Sequence, residues 1–125
     1  MPITTATLDA GGTRPQVEII VGHAHFAAFD MTLFDASGRN GVKFASGRTD
    51  DTIPDIFPID QPPVKALDGA TIFWRAVVAS PTGTPGEQSS VIVRVLQDGK
   101  IAGTDTKTGP ITGPSPSGFI RLTVR

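Results

Sequence analysis

A period of two runs through this chain, and it constrains the fold more than any other feature. Val17, Ile19 and Val21 alternate with Glu18 and Ile20. Phe29, Met31 and Leu33 alternate with Asp30 and Thr32. The same rhythm recurs in Ile72-Phe73-Trp74-Arg75-Ala76-Val77-Val78, in Val91-Ile92-Val93-Arg94-Val95-Leu96, and in Phe119-Ile120-Arg121-Leu122-Thr123-Val124. Successive side chains of an extended strand point to opposite faces, so each set lies on one side of a sheet. No window carries the i, i+3, i+4, i+7 pattern of an amphipathic helix free of Gly and Pro. The reading is an all-β chain: a two-sheet antiparallel β-sandwich, Greek-key or jelly-roll-like, of about eight or nine short strands with no substantial helix.

The breaks between these runs are turn chemistry. Asp9-Ala10-Gly11-Gly12 ends a first strand near Ile3–Leu8, and Asp35 to Gly41 separates two strands with residues that tolerate positive φ. Asp98-Gly99 is the strongest hairpin signal, because that dipeptide suits a type I′ turn. Thr108-Gly109-Pro110 through Gly118 reads as a loop. Residues 49–63 carry four prolines, which a central strand does not accept. They predict an edge segment or crossover packing Ile53, Ile56, Phe57 and Ile59. The final run alternates to the last residues, which ties the C-terminus into a sheet. With 125 residues, no linker and no repeat, residues 1–125 read as a single domain.

Composition excludes several classes of function. There is no cysteine, hence no disulfide and no thiolate chemistry. Eleven Lys and Arg against twelve Asp and Glu give a net charge of −1, without the basic field that a phosphate backbone rewards, so no nucleic-acid partner is expected. No apolar run approaches the length of a membrane span, and the first residues carry neither basic charge nor an apolar stretch. No membrane partner is expected, and a soluble, cytoplasmic protein is the default expectation.

Four groups of residues are candidates for chemistry. His23-Ala24-His25 would place both imidazoles on one face of a strand, with Asp30 as a third ligand for a divalent metal. His23, His25, Asp30 and Gly38 resemble in order the first motif of the cupin family. Asp stands where that motif has Glu, and no further His exists to supply the second motif, so no function is carried over. Met1-Pro2-Ile3 is similar to the start of the tautomerase family, but the strand, long helix and second strand of that family do not follow. Asp50, Asp51, Asp55 and Asp60 offer oxygen ligands of the kind calcium takes from loops, without EF-hand spacing.

The fourth group is Arg75, Arg94 and Arg121, each mid-strand and opposite in phase to the main apolar set. If their strands are neighbours they share one face with Phe73 and Phe119, and three guanidiniums suit a carboxylate, a sulfate or an anionic sugar. Ile20, Phe73, Val77, Ile92, Leu96 and Phe119 also lie on the outward phase, which is too apolar for an isolated subunit. These features point to a non-catalytic binding or interaction module, recognising a carbohydrate or small anionic ligand and forming a homo-oligomer through a sheet face. The alternative is a small metal-binding protein or metal-dependent enzyme built on His23 and His25.

Overall fold

The computed structural model describes residues 3–22, 26–49, 54–60, 63–79, 87–111 and 115–125. Among the described residues nine strands are formed: β1 (Thr4–Leu8), β2 (Gln16–Val21), β3 (Phe26–Phe34), β4 (Val42–Thr49), β5 (Asp55–Pro58), β6 (Thr71–Ala79), β7 (Gln88–Gln97), β8 (Lys100–Pro110) and β9 (Ser117–Val124). They make two sheets, one of five strands in the order β1-β9-β6-β3-β4 and one of four in the order β5-β2-β7-β8. A short 3-10 turn is formed at Val64–Leu67. The chain is an all-β, two-sheet sandwich.

The inward phase of the sequence is the core. Val17, Ile19 and Val21 of β2, Val91, Val93 and Val95 of β7, Met31 of β3, Ile72, Trp74 and Ala76 of β6, and Ile120 and Leu122 of β9 are all buried. Consecutive strands often change sheet. β2 pairs with β7 in one sheet while β3 pairs with β6 in the other. The β2-to-β3 and β6-to-β7 connections therefore cross between the sheets, and Gly22 marks a change of sheet, not a hairpin. The β7–β8 hairpin forms as its Asp98-Gly99 turn requires, with both φ angles positive at 53° and 74°.

Three details depart from the sequence-based expectation. β1 pairs with β9 in parallel, whereas the alternation alone predicts an antiparallel sandwich. A parallel pair needs a crossover connection, and here the chain between the two strands supplies it. Thr108-Gly109-Pro110 is not loop but the end of β8, which reaches Pro110 because β8 is an edge strand where proline is tolerated. Of the residues expected to pack from the proline-rich segment, Ile59 is buried and Phe57 packs edge-on against Phe29, with ring centroids 5.6 Å apart. Ile56 instead is exposed, because it pairs with Glu18 on the outer face of β5 and β2. Ile53 lies outside the described residues.

The C-terminal strand is tied in more firmly than an edge would be. β9 lies between β1 and β6, and the Arg125 amide donates to the Leu8 carbonyl at 2.9 Å. This places β9, with Phe119 and Arg121, well inside the five-stranded sheet.

Candidate functional site

Sheet register determines which side chains share a surface. On the outer face of the five-stranded sheet, Arg121 of β9 stands beside Thr71 of β6, which is beside Phe34 of β3. One row along, Phe119 stands beside Phe73, and Phe73 beside Thr32. The next row sets Ser117, Arg75 and Asp30 side by side, and beyond it Val77 neighbours Ala28 and Phe26 neighbours Ala79. The aromatic row thus separates the two arginine rows. The Phe73 and Phe119 rings have centroids 4.9 Å apart at 37°, a tilted contact that holds both against the sheet.

Two of the three arginines share this face. Arg94 does not, because β7 belongs to the four-stranded sheet and its outward phase points from the opposite side of the molecule. There its Nη1 lies 3.3 Å from Glu18 Oε1, across the β2–β7 pair. Arg75 Nη2 lies 3.3 Å from Asp30 Oδ2. Arg121 has no acidic partner within reach among the described residues. The outward apolar residues divide likewise. Phe73, Val77 and Phe119 are on the five-stranded face, and Ile20, Ile92 and Leu96 on the four-stranded one.

Arg121 borders a shallow hollow of about 330 Å³ lined by Ile3, Phe34, Gly38, Thr71 and Phe119. Its walls are apolar, with Ile3 and Phe119 each about half exposed (47% and 50%). The β3–β4 turn supplies the Gly38 wall, and Asp35 holds that turn. Its carboxylate accepts hydrogen bonds from the Ser37 and Arg39 amides, both at 3.0 Å, and from the Ser37 hydroxyl and Asn40 Nδ2. These donors, the Ser37 hydroxyl foremost, lower the Asp35 pKa to about 2. The sequence points to Phe119 and Arg121 but not to Ile3 and Phe34. Phe34 continues the outward alternation of Asp30 and Thr32, which is the one signal available for it.

His23 and His25 lie outside the described residues, as do Asp50 and Asp51. Asp30 is engaged with Arg75. The Asp60 carbonyl accepts from Arg14, which pins the segment after β5 to the β1–β2 loop. Among the described residues, no three acidic or imidazole groups come together as a metal would require, and no helix is long and apolar enough to cross a membrane.

This is the outer surface of a β-sandwich carrying a cation set into aromatic and aliphatic side chains. The chain matches no protein-family model and no curated protein.

Proposed function

We propose that the chain is a non-catalytic binding module that takes a small ligand with an anionic group, a carboxylate above all, on an apolar or sugar body, in the hollow beside Arg121. The observation that carries this reading is Arg121 at the rim of an apolar concavity, without an acidic partner among the described residues. A guanidinium presents a planar fork of donors that matches a carboxylate, and the Phe119, Phe34 and Ile3 side chains offer the apolar surface against which the rest of the ligand packs. The polar groups there, a guanidinium and the Thr71 hydroxyl, suit binding better than proton transfer, because a guanidinium offers five donors and no acceptor.

Magnitude supports a weak site. An exposed ion pair contributes only about 0–1 kcal/mol. A ligand of about a dozen heavy atoms at about 0.3 kcal/mol each would bind with a Kd on the order of 1 mM. Titration with phenylacetate and glucuronate, followed by amide NMR shifts, tests the reading. The expected result is saturable shifts at Phe119, Arg121 and Thr71 that weaken several-fold in Arg121→Gln. Equal binding of neutral phenylacetamide, or no change in Arg121→Gln, overturns it.

A further inference from the structure

The middle of the same face carries a second feature, which does not depend on the Arg121 hollow. Arg75 and Asp30 are neighbours across the β6–β3 pair, and only one contact joins them, Nη2 to Oδ2 at 3.3 Å. Arginine has five N–H donors and a carboxylate about four acceptor sites. Both groups therefore keep unused hydrogen-bonding capacity, with the Arg75 side chain 56% exposed and the Asp30 side chain 24%. Beyond this pair the β3 and β6 strands present apolar side chains, with the exposed Arg48 of β4 beside Ala28 at their edge. Val77 and Phe26 are exposed at 56% and 48%, with Ala28 and Ala79 beside them.

We infer that the occupant of this part of the face is a second copy of the same chain. An acidic partner would meet Asp30, and a basic partner would meet Arg75. A surface that carries one charge of each sign side by side is complementary to itself. In an isologous contact the same patch meets itself about a two-fold axis. An axis running along the strands between β3 and β6 sets Asp30 of one copy against Arg75 of the other, and the reverse. The two pairs then close into a four-membered ring of alternating charge. The same axis sets Val77 against Ala28 and Phe26 against Ala79, so each large apolar side chain meets a small one. Knobs facing small residues are what two sheets need in order to interdigitate.

Charge exchange tests this directly. Sedimentation of the whole chain should give twice the 13.1 kDa chain mass. Asp30→Arg faces two arginines with two arginines, and Arg75→Asp faces two carboxylates with two carboxylates. Each variant alone should dimerise more weakly by on the order of a hundred-fold. An equimolar mixture of the two should recover a dimer containing one chain of each, resolved by native mass spectrometry. Val77→Lys, at an exposed site outside the ion pair, provides a further weakened variant if either charge reversal fails to fold. A single-chain mass for the unaltered protein at its highest soluble concentration overturns the inference. So does a mixture that recovers nothing, or dimerisation unaffected by Val77→Lys. The phenylacetate titration should persist in the charge-reversed chains, and Arg121→Gln should keep the dimer mass, so failure of one proposal is distinguishable from failure of the other.

Discussion

The indole N–H of Trp74 donates to Asp105 Oδ2 at 2.9 Å, a hydrogen bond that joins the two sheets inside the sandwich. Trp74 comes from β6 and Asp105 from β8, and both are buried. The other carboxylate oxygen accepts from the Thr4 hydroxyl of β1 at 3.4 Å and lies 3.5 Å from Lys107 Nζ. Three strands thus converge on one acid along the side where β1 and β8 face each other. Gly118 of β9 makes the approach possible. A Cβ there would lie 2.8 Å from Trp74 Nε1 and closer still to Asp105 Oδ2.

Removing the acid should be costly. Asp105→Ala leaves a buried indole N–H without its acceptor and should destabilise the fold by about 3 kcal/mol. Gly118→Ala should cost about 2–3 kcal/mol, because both neighbours are rigidly placed and the added methyl has nowhere to go. The double variant Asp105→Ala with Trp74→Phe should lose less than the two single changes added together, since they share one interaction. Urea unfolding curves check all three. Additive losses would mean that the bond contributes nothing of its own.

This bond is not legible in the sequence, and the reason is physical. Alternation tells which face a side chain takes, but not which sheet its strand joins. Trp74, Val93 and Leu122 are readable as core because an inward phase needs no knowledge of partners. Asp105 lies in a stretch, Thr104 to Thr108, whose apolar content is too low to display a phase. Its burial follows only from the pairing of Val93 with Asp105 and the closeness of β8 to β1. The grouping of Arg75, Arg94 and Arg121 meets the same limit. They agree in phase, and two of them share a face, but strand assignment sends Arg94 to the other side. Local signals fare better, because a type I′ turn depends on two residues alone.

That turn gives a sharp pair of expectations. Gly99 has φ of 74°, so Gly99→Ala should cost about 1–2 kcal/mol despite open space around it. Gly109, in the edge strand β8, has no heavy atom within 4 Å of the position a methyl would take and no positive φ. Gly109→Ala should therefore leave stability unchanged or raise it slightly. Thermal melting of the two variants separates backbone strain from steric crowding. Equal losses would show that crowding or the sheet edge, not φ, governs both.

Gln97 should govern the order of the β1–β2 loop. Its side chain is buried and accepts from the Asp9 amide at 2.7 Å while donating to the Asp9 and Thr13 carbonyls, both at 2.9 Å. One amide group thus closes the loop onto the end of β7. Gln97→Ala should cost about 2–3 kcal/mol, and should speed hydrogen exchange at Asp9 well beyond the global change. Exchange at Asp9 that follows only the global loss of stability would assign the loop's order to other contacts, such as the Asp98 carboxylate accepting from the Thr13 amide at 3.1 Å.

Acid should loosen the β3–β4 turn, and with it the Gly38 wall of the Arg121 hollow. The Asp35 pKa is lowered to about 2 from an ordinary value of 3.8 by the donors of its own turn. A carboxyl whose pKa is depressed by folding stabilises the fold above its unfolded pKa, and that contribution is lost as pH falls through the folded value. The turn should therefore keep its structure down to about pH 4 and lose it progressively toward about pH 2. Asp35→Asn retains an acceptor oxygen but no charge, so its turn should be looser at pH 7 and insensitive to acid over that range. Carbon-detected titration of the Asp35 carboxyl, with amide shifts of Ser37 and Arg39 in parallel, measures both. A carboxyl that titrates near 3.8, with amide shifts that do not follow it, would mean that the four donors do not hold the turn in solution.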